Sequence, residues 1–413
     1  MRLKKLRIGW SFKLARILLL SNGHGEDLSG VLIGKALEEL NHKVAALPLV
    51  GFGNSYASAG IRTLGKTKEF STGGLGYTSI FGRITELLQG QLFYLCGRLL
   101  NLLLASRDYD LLVVVGDVVP VLAAWLTGLP VVTYLVAYSS HYEGKLRLPW
   151  PCSNLLSSKR FLAVFTRDQL TADDLTIQLL RKVEFLGNPF MDPVLKIQPK
   201  LTPCTYRLGL LPGSRRPELD DNLLLILRVI ELLPVDKLIS LNISFDIALV
   251  NSLDNAALTR LVAPHGWELN DAFNSHSSLQ LVHDHCRVNV HRDSFVEVLQ
   301  SSDVLLSMAG TATEQAVGLG KPVLQLQGKG PQFTASFAEA QRRLLGPTIF
   351  CAEGRVGHQI NLRKTGHLII DLLARIKVDQ ALQRDCYQQA FRRLGSEGGS
   401  KRIAQAISNV FDV

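Results

Sequence analysis

The stretch that decides the fold is DVLLSMAGTATEQAVGLGKPVLQLQG, Asp303 to Gly328. Asp303–Ser307 is a short apolar run of the kind that forms a buried strand, Gly310 is a turn residue, and the segment from Ala312 onward reads as a helix. Pro322–Gly328 then restarts a strand, which makes the whole stretch a parallel βαβ unit. Gly310 and the helix-opening Thr311, Ala312 and Thr313 give the junction more small and hydroxyl residues than a bare turn requires. The first N–H groups of a helix lack intrahelical partners and carry positive potential. Small residues let a phosphate reach them. An ordinary Ser/Thr-capped helix is the plain alternative for this stretch taken alone.

Working outward, the same alternation recurs along the chain. ARILLL (15–20) precedes the helical EDLSGVLIGKALEEL (26–40) and the run KVAALPL (43–49). DLLVVVG (110–116) leads into VPVLAAWLTG (119–128) and PVVTYLV (130–136), and FLAVFTR (161–167) into DQLTADDLTIQLL (168–180). The pattern restarts with YRLGLLPGS (206–214), a helix over 219–233 and FDIALV (245–250). Such alternation implies parallel sheets covered on both faces. Between Gly187 and Thr205 four prolines interrupt any period and mark a domain boundary. The expected fold class is α/β: two doubly wound, Rossmann-like parallel-sheet domains facing a cleft, with ligands beyond the carboxyl ends of the strands. The expected divisions are an N-terminal domain over 1–190, a linker over 191–205, a C-terminal domain over 206–394 and a last helix over 395–413 packing back on the first domain.

With 413 residues, 47% of them hydrophobic and 20% charged, the chain can build two cored domains. Its formal charge of +9 favours anionic partners: nucleic acid, an anionic membrane face or phosphorylated small molecules. No nucleic-acid motif or aromatic–basic interleaving is present, so nucleic acid is not expected. Six scattered cysteines with no C-x-x-C pair indicate a reducing compartment. The basic leader (Arg2, Lys4, Lys5, Arg7, Lys13, Arg16) runs into an apolar stretch too short for a signal peptide. Leu87–Ala105 has helical spacing but is broken by Gln89, Gln91, Arg98 and Asn101, too polar for a transmembrane span. The expected location is cytoplasmic.

Four further groups of residues carry chemistry. LLPGSRR (210–216) closes the first strand of the second domain, where Gly213 and Ser214 offer donors and Arg215 can fork onto phosphate oxygens. A capped turn with a solvated arginine is the plain alternative. In the first domain SNGHGED (21–27) follows the opening strand, with His24 as a proton carrier or a hydrogen-bonded cap. Asp117 ends another strand of the same edge, as a reactive carboxylate or a helix N-cap. His283, His285, Cys286 and His291 in HDHCRVNVH fit no tetrahedral zinc spacing and alternate like a strand, so no metal is expected.

Together these residues resemble lipid-A-disaccharide synthase and, more loosely, the glycosyltransferases that share its two-domain GT-B fold. GFGNSYASAG (51–60) is similar to the family's Gly-x-Gly-Gly…Ala-Ala-Gly loop, and GGLGY (73–77) stands where its acceptor-side loop lies. FLGNPFMDPV (185–194) resembles the Phe-x-Gly-His-Pro-x-x-Asp hinge, with Asn188 in place of histidine. LLPGSRRPEL (210–219) resembles Leu-Leu-Pro-Gly-Ser-Arg-x-x-Glu-Ile, and GTAT (310–313) matches the donor-site turn. SNGHGED departs from Ala-Gly-Glu-Ala-Ser-Gly-Asp and keeps only Asp27; its Gly-His is closer to peptidoglycan and glycolipid transferases. Glu314 comes one position early, similar to Gly-Thr-Ile-Ala-Glu of galactolipid synthases.

The resemblance implies a metal-independent, inverting glycosyltransferase that moves a sugar from a UDP-sugar to a membrane-associated lipid or glycolipid, with no cofactor beyond that co-substrate. Gly213, Ser214, Arg215, Gly310, Thr311, Ala312 and Thr313 would hold the diphosphate, Glu314 the ribose and Gln332 the donor sugar. Asp117, or second to it His24, would take the acceptor proton. Asn22, Gly23, Asp27, Gly74, Gly76 and Tyr77 would stand on the acceptor side. The leader and an apolar lip at Leu75, Tyr77, Ile80 and Phe81 would meet the inner face of an anionic membrane. The same fold also serves non-hydrolysing UDP-sugar 2-epimerases and non-catalytic UDP-sugar or lipid-binding proteins.

Overall fold

The computed structural model describes residues 14–51, 53–65, 91–196, 201, 204–271, 279–328 and 334–411. The chain divides into two compact units: unit 1 runs to Phe190 and takes back Gly398–Val413, and unit 2 spans Met191–Glu397.

Unit 1 is built on β1 (Arg16–Ser21), β2 (Lys43–Pro48), β3 (Arg62–Thr63), β4 (Leu111–Gly116), β5 (Val131–Leu135) and β6 (Phe161–Thr166). They form one parallel sheet in the order β3-β2-β1-β4-β5-β6. Continuous apolar runs suit strands buried on both faces. Alternation divides them: Leu18, Leu20, Leu112 and Val114 enter one core cluster, Ile17, Leu19, Val113 and Val115 the other. The chain lays β2 and β3 on one side of β1, then returns to the other side for β4, so a topological switch point lies between β1 and β4. The C-terminal helix Gly399–Phe411 closes the second cluster with Ile403, Ala404 and Ile407. His42 ties it down: its Nδ1 accepts the Ala15 N–H at 3.2 Å and its Nε2 lies 2.8 Å from Ser408 Oγ.

Two residues behave differently from the expectation. Arg98, read as a break in an apolar helix, is buried in helix Gln91–Ala105 and donates to the carbonyls of Leu64, at 3.0 Å, and Pro48. Arg16, read as part of a basic leader, opens β1 and pairs with Asp110 at 3.2 Å. No helix among the described residues is long and apolar enough to cross a membrane.

Unit 2 contains β7 (Tyr206–Leu211), β8 (Ile243–Ala248), β9 (Glu268–Asp271), β10 (Leu279–His283), β11 (Cys286–His291), β12 (Val304–Ser307), β13 (Val323–Gln325) and β14 (Ile349–Cys351). Their order is β14-β13-β12-β7-β8-β11-β10-β9. β14 to β11 run parallel, whereas β10 and β9 extend the edge antiparallel. The sheet is therefore mixed rather than purely parallel. The segment HDHC is the reason: Asp284, at φ +49°, and His285 join β10 to β11, and so short a link permits only a hairpin. His283 Nδ1 lies 2.7 Å from the Gly266 carbonyl, His285 is exposed, Cys286 is buried, and His291 Nε2 lies 2.7 Å from Asp246 Oδ1. These four side chains go separate ways, and no metal-binding cluster occurs among the described residues.

Because Ile407 is fully buried against unit 1, Ile407→Ala should cost about 2–5 kcal/mol of that unit's stability. Urea unfolding followed by limited proteolysis should show cleavage sites of residues 14–190 opening at lower urea. Unit 2 cleavage should not move; a shift in both, or in neither, would contradict this packing.

Candidate functional site

Unit 2 brings its two phosphate-suited turns side by side. β7 and β12 are parallel neighbours with Leu211 paired to Ser307, and the Met308 N–H donates to the Leu211 carbonyl at 2.8 Å. Gly213 sits at φ +99°, and a Cβ there would lie 3.0 Å from the Met308 carbonyl oxygen. Only glycine fits both conditions. β8 lies on one side of β7 and β12 on the other, so this is the switch point of the sheet, where doubly wound folds hold ligands. Ser214 and Arg215 are exposed, and Arg215 makes no ion pair with a described residue. Arg216 is different: it is held by Asp220, with donor–acceptor distances of 3.2 and 2.6 Å.

The second turn opens helix Thr311–Gly318, whose N-cap, Gly310, offers no side chain. A Cβ at Gly310 would meet no described residue within 4 Å. The Thr313 and Glu314 N–H groups both turn back to the Gly310 carbonyl, at 3.0 and 3.3 Å, which leaves those of Thr311 and Ala312 for a ligand. Thr313 is thus corrected as a donor. Its hydroxyl is also spent, lying 2.7 Å from Ser307 Oγ and donating to the Ala309 carbonyl at 2.7 Å. Glu314 is half-buried in the first turn. One residue was missed: Asn222, on helix Glu218–Glu231, donates to the Pro212 carbonyl at 2.9 Å and fixes the first turn from below. Its signal was faint, a single amide on the apolar stripe Leu219, Leu223, Ile226 and Ile230.

Unit 1 has the corresponding arrangement at the ends of β1 and β4, where Ser21 pairs with Val115. Asp117 is the N-cap of helix Val118–Leu126; its Oδ1 accepts from Val119 N–H and from Asn22 Nδ2, each at 2.8 Å. Its Oδ2 receives no hydrogen bond from a described residue, and the side chain is half-buried. Asp117 is thus the helix N-cap, and its Oδ2 is not committed to a described residue. Tyr138, also missed, takes the preceding N–H: its Oη accepts from Val118 N at 3.2 Å. Gly23 is the extended N-cap of helix His24–Glu39. The His24 side chain, Gln332, Gly74, Gly76 and Tyr77 lie outside what is described, as do Leu75, Ile80 and Phe81.

The architecture matches solved structures along nearly the whole chain. A putative UDP-N-acetylglucosamine 2-epimerase from Listeria monocytogenes is 16% identical, with a TM-score of 0.54 over 96% of each chain. The spinosyn forosaminyltransferase is 15% identical, with a TM-score of 0.55 over 96% of this chain and all of its own. The spinosyn rhamnosyltransferase complexed with thymidine diphosphate is 14% identical, with a TM-score of 0.52 over 95% of this chain and all of its own. The fold is GT-B. No family model and no curated protein matches the sequence.

Beneath the first loop of this GT-B chain, Asp27 differs from the expected acceptor-side contact. It is buried, and the fully buried Tyr56 donates to Ser21 Oγ at 3.0 Å while Ser21 donates to Asp27 Oδ1 at 2.6 Å. Gly30 makes room: a Cβ there would overlap Tyr56 Oη. Burial pushes the Asp27 carboxyl up to about 7, the Ser21 hydrogen bond opposing it and the Glu26 charge adding to it. A carboxyl raised in the folded state favours folding while protonated, so its contribution is full below about pH 4 and is lost as pH rises to about 7. Asp27→Asn removes that slope. In urea titrations, the variant's stability relative to wild type should rise by up to about 4 kcal/mol from pH 4 to pH 7 and then level off; a flat difference would contradict the buried carboxyl.

Proposed function

We propose that this chain is a metal-independent, inverting glycosyltransferase that moves a sugar from a UDP-sugar to a membrane-associated lipid or glycolipid. The observation that carries the reading is the adjacency of the Gly213–Arg215 turn and the uncapped start of helix Thr311–Gly318 on neighbouring strands β7 and β12. Together they offer a diphosphate two N–H groups, a hydroxyl and a guanidinium that pairs with no described residue. In the reaction the acceptor oxygen bonds to the anomeric carbon from the face opposite the diphosphate. The bond from that carbon to the diphosphate oxygen breaks, its electron pair stays on the leaving oxygen, and the acceptor proton passes to Asp117 Oδ2. Arg215 and the Thr311 and Ala312 N–H groups stabilise the charge that grows on the diphosphate. Glu314 accepts from the ribose. The thymidine diphosphate bound by a transferase of the same fold supports a nucleotide donor.

The lipid acceptor has separate support in unit 1. Helices Gln91–Ala105 and Val118–Leu126 pack together and expose Leu100, Leu104, Val119, Leu122 and Leu126. Such an apolar surface beside Asp117 suits a substrate that stays in a bilayer.

Radiolabelled UDP-glucose, UDP-galactose and UDP-N-acetylglucosamine incubated with the protein and membranes should label the lipid extract, with or without EDTA. Label remaining in a new UDP-sugar would favour an epimerase, and label needing magnesium or manganese would remove the metal-independent claim. Arg215→Ala should weaken UDP binding by at least tenfold in calorimetry, whereas Arg216→Ala, whose guanidinium is already held by Asp220, should not. Equal effects would reject the assignment. The apolar surface predicts co-sedimentation with phosphatidylglycerol vesicles at low salt, reduced in a Leu104→Ser, Leu126→Ser double variant. A wild type that stays in the supernatant would refute it.

A further inference from the structure

We propose that Tyr138 contacts the acceptor substrate, donating its phenol hydrogen to an oxygen next to the hydroxyl that Asp117 deprotonates. The inference rests on the functional reading above and narrows its substrate class to acceptors carrying two neighbouring oxygens, as a sugar ring or glycerol does. An isolated hydroxyl on a hydrocarbon frame would satisfy Asp117 and leave Tyr138 without a partner.

The geometry is that of two oxygens side by side on one helix start. Tyr138 Oη accepts from Val118 N at 3.2 Å, and Asp117 Oδ1 accepts from Val119 N at 2.8 Å. A phenol oxygen that accepts from the helix must point its own O–H elsewhere. No described residue takes that proton, and Tyr138 is only half-buried, so a ligand can. Burial, with the Asp117 charge next, pushes the phenol up. It therefore stays a donor next to a carboxylate that can only accept.

The backbone behind Tyr138 is fixed by more bonds than a surface turn needs. Ser139 and Ser140 are both buried. Ser139 Oγ donates to Asp168 Oδ2 at 2.7 Å, Ser140 Oγ to Asp174 Oδ2 at 2.9 Å, and Ser140 N–H to Thr171 Oγ1 at 2.9 Å. Asp168 is itself held, accepting from the Thr171 N–H and hydroxyl at 2.8 and 2.7 Å. This network locks the residue in front of it, the arrangement that a positioned ligand contact requires.

The test uses Tyr138→Phe, which keeps the ring and removes only the hydroxyl, with membrane lipid dispersed as vesicles as acceptor and the labelled UDP-sugar that wild type transfers. Released UDP and sugar transferred to lipid are measured together. The half-saturating lipid concentration should rise at least tenfold, and the ratio of UDP released to sugar transferred at least fivefold, because water replaces a poorly held acceptor. UDP affinity should stay within twofold. Ser139→Ala should raise the same ratio by a smaller factor, which keeps the idea testable if one variant folds poorly. An unchanged ratio in Tyr138→Phe, with Asp117→Asn inactive, would overturn the Tyr138 inference alone. So would a fall in both products at constant ratio, the mark of a helix cap only. An Asp117→Asn variant that transfers normally, or a wild type that transfers to none of the membranes, would instead remove the functional reading and this inference with it.

Discussion

Two helix starts anchor the chemistry proposed for this chain, and they differ in which described groups meet their N–H groups. Helix Thr311–Gly318 begins at a glycine that no described residue crowds, and two of its N–H groups have no partner among the described residues. Helix Val118–Leu126 begins at Asp117, and its first two N–H groups are already taken by a phenol and a carboxylate. The dipole is the same in both. An open start draws an anion; a start holding a carboxylate repels one and can take a proton instead. Both are placed by one topological constraint, the return of the chain to the far side of the first strand of each sheet.

Buried carboxyls in the two units show how the number of donors on each decides its charge. Asp246 and Asp27 are both buried carboxyls. Desolvation pushes Asp246 up, but the hydrogen bond from His291, the Arg207 guanidinium and the Ser244 hydroxyl outweigh it, and the group is held below the usual carboxylate range. Asp27 has the Ser21 hydroxyl, which does not offset the same cost. One carboxyl is thus held below the usual carboxylate range and ties β7, β8 and β11 together, and the other is pushed up to about 7 under the loop that carries Asn22.

The sequence disclosed the parts of this design that depend on local pattern. Apolar runs ending in glycine or aspartate identify β1, β4, β7 and β12, and turn chemistry identifies Gly213 and Gly310. What it concealed depends on partners distant in the chain. Asn222 becomes meaningful only once Pro212 is known to lie above it, and Arg98 only when Leu64 and Pro48 present their carbonyls. Tyr138 has no motif, because its bond to Val118 N comes from the helix that follows the neighbouring strand. Thr313 misled for the opposite reason: its residue type suits a phosphate, yet local bonds to Ser307 and Ala309 use it up. The hairpin in HDHCRVNVH was read as one strand because alternation does not register a two-residue turn.

The polar geometry around Asp117 shows where such a fold accepts a cost. Asn22 gives its amide N–H to Asp117 Oδ1 while its own Oδ1 is buried without a partner among the described residues. It lies so close to Gly116, at φ +156°, that a Cβ there would come within 2.4 Å of it. A buried carbonyl without a protein partner costs on the order of 1–3 kcal/mol. What the arrangement secures is direction. With Oδ1 accepting from both Asn22 and Val119, the carboxylate is oriented, and Oδ2 is the oxygen left for the proposed chemistry. Local cost held in place by surrounding structure is a mark of function, and in unit 1 it falls on the residue from which the proposed chemistry begins.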